Sequence, residues 1–404
     1  ALAVTGVTTL AAGSGNDITL DVGTNNFGTV AITSGNNVAL VDANALTLGA
    51  STVSGTLGVT TASGVTVSAN VTSAGATTID ADSDNNGSGD FTVASSQTLS
   101  ITNSALSITA NDMDLSGSLT SGSAATTLLV SDGGTIVLGS AGGGGLNLTN
   151  AELQSITASV LTIGDGTAGA ITISSDVTPG ASSGSGVATV SLITGGAITG
   201  TAGGIIETNL ALTASGTINV TDANTDVDFL AISAAGQTVT FTDADAIDIK
   251  TTAGVAGITA TTLNLNTAGA ITDTNALAVT GVATIAAGSG NDITLDVATN
   301  NFGTVAITNG NNVTLVDANA LILGASTVSG TLGVTTSGAI TDSGALAVTG
   351  VTTLAAGSGN DITLDVGTNN FSTVVITSGN NVALVDANAL ILGASTVSGT
   401  LGVT

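Results

Sequence analysis

The chain has no cysteine, no histidine, no tryptophan and no tyrosine, and a single basic residue, Lys250. Without cysteine there is no disulfide framework and no thiolate metal site. Without histidine or arginine, the usual general bases, imidazole metal ligands and oxyanion clamps are absent, so the composition argues against an enzyme. Acids number 28, which gives a net charge of −27. One lysine does not neutralise a phosphate backbone, so nucleic acid is excluded as a partner, as is an anionic membrane surface. No apolar run is long enough to span a bilayer, which excludes membrane insertion. Proline occurs once, at Pro179, and the only aromatics are six phenylalanines.

Small β-branched and aliphatic side chains, with Thr, Ser, Asn and Gly, make up most of the rest. They suit a thin, regular core rather than one large globular one. The chain also repeats itself. The text ALAVTGVTTLAAGSGNDITLDVGTNNFGTVAIT at Ala1 returns almost unchanged at Ala276 and at Ala345, and the last two starts define the repeat length. The first and third copies differ at three of sixty positions: Gly28/Ser372, Ala31/Val375 and Thr47/Ile391. The organisation is a copy at 1–61, a divergent stretch at 62–275, a copy at 276–344 and a shorter one at 345–404. Its start at a repeat boundary and its stop within the last unit suggest a piece of a longer tandem array.

Within a unit the apolar period is two. Ile18, Leu20 and Val22 share one face of NDITLDVG, and Asp17, Thr19 and Asp21 share the other. TVAIT (29–33), NVALV (37–41) and ALTLG (45–49) alternate alike, and Gly, Asn or Ser bounds each of them. These are short strands between tight turns. Such strands fit a sandwich, a barrel or a solenoid, and the fixed long period selects the solenoid. The expected fold is all-β: one continuous right-handed parallel β-helix, with about 20–26 residues per coil and about three coils per 69-residue repeat. At the spacing of paired strands, six units of three coils would rise about 80–100 Å. Equivalent apolar positions should then stack: Ile18, Ile293 and Ile362; Leu20, Leu295 and Leu364; Phe27, Phe302 and Phe371. Thr47, which becomes Ile322 and Ile391, should be peripheral. Asn pairs at 25–26, 36–37, 300–301, 311–312, 369–370 and 380–381 mark corners, where Asn tolerates the left-handed conformation and stacked amides form ladders. TPGASSGSG around Pro179 reads as a loop leaving the coil, and AGGGGLNL (141–148) as a second flexible spot.

LTNAELQSITASVLTIGDGTAGAITIS (148–174), LITGGAITGTAGGIIETNLALTASGTINVTDANTDVDFLAIS (192–233) and VTFTDADAIDI (239–249) resemble the repeats of very large filamentous-haemagglutinin-type secreted proteins of bacteria. The resemblance covers nearly the whole chain. It implies a right-handed parallel β-helix, export across the outer membrane, and an adhesive or fibre-forming role at the cell surface.

Candidate chemistry is sparse. Asp17 and Asp21 lie about 13 Å apart along one strand, too far for a glycosidase pair. Lys250 with Asp245 and Asp248 does not make the cluster that a polysaccharide-cleaving β-helix needs. DADSDNNGSGD (80–90) places Asp80, Asp82, Asp84, Asn86 and Asp90 in one Gly-containing loop, the kind of oxygen-rich segment that calcium takes. It is not an EF-hand, because Asn85 stands where glycine belongs and Phe91 falls at the twelfth position. AGSGNDITL (12–20) resembles the calcium-binding nonapeptide, with Thr19 in its apolar slot. The competing reading is that these acids serve turns and solubility. Outward Thr238, Thr240 and Thr242 fit an ice-binding array, but Thr is also simply a good strand residue. The expected function is the structural, non-catalytic shaft of an extracellular bacterial fibre or adhesin that assembles with copies of itself. The alternative is a calcium-dependent adhesin whose divergent middle binds a glycan or a neighbouring cell.

Overall fold

A computed structural model describes residues 1–179 and 186–404. The loop expected at TPGASSGSG therefore lies largely outside the described residues. The fold is nearly all-β with 2% helix, and its parallel strands stack as a β-solenoid of about 20 turns. No helix among the described residues is long and apolar enough to cross a membrane. The chain divides into two compact units, Ala1–Gly216 and Thr217–Thr404.

In the first unit, strands too short to stand alone line up in three parallel ladders. One runs through Ala3–Ala11, Asn26–Ser34, Leu46–Leu48, Val65–Val67, Phe91–Val93 and Met113–Leu115. A second passes from Ile18–Leu20 through Val38–Asp42, Leu57–Thr61, Thr77–Asp80, Leu106–Ala110 and Thr126–Val130 to Leu161–Ile163 and Val190–Thr194. The third joins Ser51–Val53, Val71–Ser73, Thr98–Ile101, Ser118–Thr120 and Ile156–Thr157. Alternate side chains point inward, so the period of two in the sequence becomes a column of Val, Leu and Ile. Ile18 pairs with Val38, and Val38 with Leu57, which sets the length of a turn in the first copy. In the divergent stretch the turns lengthen: Thr77 pairs with Leu106 and Thr126 with Leu161. The extra residues form the 80–90 loop and the only α-helix among the described residues, Asn150–Gln154. Thr149 and Glu152 close that helix's N-terminus as a capping box.

The second unit carries two long ladders. Ile271, Ile293, Val313, Leu332, Thr352, Val374 and Leu392 stand in one. Leu263, Ala283, Val305, Leu323 and Asp342, followed by Ile362, Val382 and Leu401 with Ile340 as the link, stand in the other. A shorter third ladder joins Ser326–Val328 to Leu346–Val348 and Phe371. Three steps from Ala283 reach Asp342, and Thr352, which is Ala283 one repeat later, lies half a turn further on in the opposite ladder. A full repeat therefore makes three and a half turns, not a whole number. The expected columns of identical residues do not form: Ile293 stacks on Ile271 and Val313, whereas Ile362 stacks on Ile340 and Val382.

The inward assignment itself holds. Ile293, Leu295, Ile362, Leu364, Phe27, Phe302 and Phe371 are all buried, and Ile18 with them. Leu20 is half-buried in the first copy. Ile322 and Ile391 are exposed, as a peripheral position should be. The GAIT glycines are corner residues of close approach. A Cβ on Gly338 would sit 2.6 Å from the backbone nitrogen of Ala320 in the preceding turn, and one on Gly269 would sit 2.5 Å from that of Ala246. Only glycine lets the turns close up there.

Candidate functional sites

The polar residues of the repeat are spent on holding one turn to the next. Asp17 accepts from Asn36 Nδ2, Asn37 N and Asn37 Nδ2, at 3.1, 3.1 and 3.0 Å. Asn37 Oδ1 in turn accepts from Thr56 N and Oγ1. The same three-turn chain recurs as Asp292–Asn312–Thr331 and Asp361–Asn381–Thr400. Hydrogen bonds from the following turn, the backbone N–H of Asn37, Asn312 or Asn381 first, hold these three carboxyls below the usual range. At the other Asn pair of the repeat, the first residue (Asn25, Asn300 or Asn369) is buried and works differently. Asn300 Oδ1 accepts from Leu277 N at 2.7 Å while its Nδ2 donates to Asp273, and Asn369 does the same with Leu346 and Asp342. The corner amides thus bind backbone and carboxylates of the preceding turn rather than one another.

A second device is the Asp of VDAN. Asp42, Asp317 and Asp386 accept the N–H of Phe27, Phe302 and Phe371, at 2.6–2.7 Å, and also the N–H of Asn44, Asn319 and Asn388. In the divergent stretch Asp243 plays this part toward Val227 and Asp245. Here, however, the two flanking Asn residues are replaced by Asp226 and Asp245. Oxygens of the three carboxylates come within 4.8 Å of one another, the one such group among the described residues. Burial first, then the charges of Asp245 and Asp226, pushes Asp243 up to about 6. The signal was legible as a change from Asn to Asp at two repeat positions, but it needed the divergent stretch to be placed in register with the copies.

The 80–90 loop organises itself around Asp82. That side chain is fully buried and accepts from Asn86 N, Gly87 N and Ser131 Oγ, the last at 2.6 Å. Asp84 accepts from Asn86 Nδ2, and Asp90 from Asn111 Nδ2. Burial, with the Asp82 charge beside it, raises Asp80. Asp80, Asp82, Asp84 and Asp90 thus each serve their own local partners. Lys250 does not pair with Asp245 or Asp248; its Nζ lies over the ring of Phe229, 2.7 Å from the centroid. Thr238, Thr240 and Thr242 pair with Thr262, Asn264 and Asn266, so the adjacent strand repeats the threonine at one of the three positions and has amides at the other two.

Where the first ladder of the first unit ends, the inserted segment makes a cleft of about 510 Å³. Asp112, Asp114 and Glu152 line it, with Asn147 and, on the floor, Met113 and Leu115. The sequence signal here was the T-x-x-E of Thr149–Glu152.

The family described as "Repeats of unknown function (DUF5649)" matches residues 1–34, 35–98, 236–309, 310–378 and 379–404, and the chain belongs to that family. No curated protein and no solved structure matches it.

Proposed function

We propose that this stretch of repeats is the non-catalytic shaft of an extracellular bacterial surface fibre or adhesin of the filamentous-haemagglutinin type. One observation carries the reading: the ladders run without a break through the junction of two repeats. Leu332 of one copy pairs with Thr352 of the next, and Ile340 with Ile362. Another repeat lengthens such a stack without altering its cross-section, and no repeat needs a partner other than its neighbours. Asp17 and Asp317 are meanwhile engaged in joining turns, to Asn37 and Phe302. Further copies of the same solenoid are the natural partners. A high negative charge favours end contacts over lateral ones, because parallel stacks repel at low salt.

The test is to locate the native protein. Proteinase added to intact cells of the producing bacterium should release fragments bearing these repeats, and immunogold labelling should decorate filaments outside the envelope. Repeats found only in the cytosol would overturn the reading.

A further inference from the structure

We infer that the carboxylates of Asp112 and Glu152 close the edge strand Met113–Leu115 to a second copy of this chain, with the Asn150–Gln154 helix as the cap that holds Glu152 in place. The first ladder stops at this strand, whose one ladder neighbour among the described residues is Phe91–Val93. The stop lies in the interior of the first unit, where a solenoid would ordinarily continue. On the paired side, Phe91 N donates to Asp112 O and Gly117 N to Val93 O. The N–H groups of Met113 and Leu115 point the other way. A row of unpaired N–H groups on a strand is a template for another strand.

Here both donors are taken. Asp112 Oδ1 accepts Met113 N at 2.9 Å, and Glu152 Oε1 accepts Leu115 N at 3.1 Å. Each carboxylate is itself fixed by the inserted segment. The other oxygen of Glu152 accepts Thr149 N and Thr149 Oγ1, both at 2.8 Å, which is the capping box of the helix. Asp112 Oδ1 also accepts Asn147 N at 2.8 Å. The segment covers the strand without pairing with it: the cleft of about 510 Å³ runs along the edge from Asp112 to Gly117.

The geometry names what is kept out. Two copies meeting edge to edge about a two-fold axis would run antiparallel at this strand. Met113 of each would face Leu115 of the other in hydrogen-bonded pairs. Asp114 would face Asp114 at the centre, in the non-hydrogen-bonded pair whose Cα atoms lie about 4.5 Å apart. Asp114 is exposed, and like charges directly opposite destabilise such a pair. Asp114 therefore opposes the same contact that Asp112 and Glu152 block, and the three acids of the cleft act together. Lysine is the usual guard of an edge, but the one lysine of this chain lies over Phe229. The inference does not depend on where the protein resides.

Disulfide cross-linking of the whole chain tests it, because no native thiol competes. Asp114→Cys puts a thiol at the centre of the excluded contact. With Asp112 and Glu152 intact it should form dimers no faster than Asp84→Cys, an exposed control in another loop. Adding Glu152→Ala should raise the Asp114→Cys rate about tenfold, the weight of one charge-assisted hydrogen bond, and leave Asp84→Cys unchanged. Glu152→Gln keeps an oxygen for Leu115 N and should restore the slow rate. In the parent chain, where no variant is needed, the Leu115 amide should be protected from hydrogen exchange although no strand pairs with it on that side. An unprotected Leu115 amide, an Asp114→Cys rate unmoved by Glu152→Ala, an equal rise in Asp84→Cys, or Glu152→Gln behaving like Glu152→Ala would each overturn it.

Discussion

Ile293 and Ile362 occupy the same position of successive repeats and stand in different ladders on opposite sides of the coil. The half turn left over by each repeat is the cause. Outward positions follow the same rule. Thr294 and Thr353 share a ladder three layers apart through Thr314 and Gly333, whereas Thr363, the repeat equivalent of Thr294, belongs to the other ladder. The absence of cysteine makes this measurable, because spin labels go only where cysteine is introduced. Labels on T294C/T353C should report a backbone separation of about 14 Å. Those on T294C/T363C should be farther apart and outside the range of strong dipolar coupling. If T294C/T363C gives the shorter distance instead, the repeat makes three whole turns and the ladder assignment fails.

One inward position of the repeat carries a flaw that a substitution can mend. Thr352 is fully buried and its Oγ1 has no partner; at the same position of the preceding repeat stands Ala283. A buried hydroxyl without a hydrogen bond costs about 1–3 kcal/mol. Thr352→Val keeps the shape and removes the hydroxyl, so it should stabilise the second unit by about 1 kcal/mol. Phe302→Ala, in the same core, should destabilise it by about 3–5 kcal/mol. Exposed Ile322→Thr, which copies Thr47, should stay within about 0.5 kcal/mol of neutral. Hydrogen exchange of the ladder amides is the suitable readout, since a repeat stack need not unfold in one step. A Thr352→Val chain that exchanges faster than its parent would refute the assignment of an orphaned hydroxyl.

Protonation should matter most around Asp243. Its carboxyl, raised to about 6 by burial and by Asp245 and Asp226, binds a proton in the folded state that it would release when unfolded. Folded protein therefore holds more protons between the unfolded value of 3.8 and about 6, and stability there falls as pH rises. The penalty is absent below that window and complete above it. Asp17, Asp292 and Asp361 act in the opposite sense: their depressed carboxyls contribute stability above the unfolded value of 3.8, and that contribution is lost as pH falls. Asp245→Asn, which restores the residue found at Asn44, should lower the Asp243 titration and flatten the exchange rate of the Val227 amide across the window. A carboxyl carbon of Asp243 that titrates near 4 in the parent chain would refute the account.

How far the sequence carried can be read from single residues. The period of two placed Ile293, Leu295 and Phe302 inward correctly, because alternation is a local property of a strand. The number of turns per repeat is not local. It depends on how many residues each corner consumes, and Gly269 and Gly338 set that by allowing close approach of the turn below. Seen in sequence, Asn25 and Asn300 were corner residues, but not which turn their amides would bind. The carboxylates of 80–90 formed a set in the text because they are near in the chain. Those of Asp226, Asp243 and Asp245 form a set in space because a ladder brings two stretches together.

The 80–90 loop gives the last test. Asp82 is the keystone of that loop: two backbone N–H groups and the Ser131 hydroxyl already fill its carboxylate from inside the fold. A calcium ion at this place would have to displace those donors and draw Asp84 and Asp90 away from Asn86 and Asn111. Millimolar calcium should therefore produce no saturable heat, and chelator should not change the exchange of the Gly87 amide. Asp82→Ala, by contrast, should loosen the loop by about 1–3 kcal/mol, because it leaves the buried Ser131 hydroxyl unpaired and takes away the acceptor of the Gly87 N–H. The ladders beyond the neighbouring turns should keep their protection, since each turn depends on those it touches. Stoichiometric calcium uptake that is lost in Asp84→Asn would instead establish the metal site that the spacing of Asp80, Asp82, Asp84, Asn86 and Asp90 suggests.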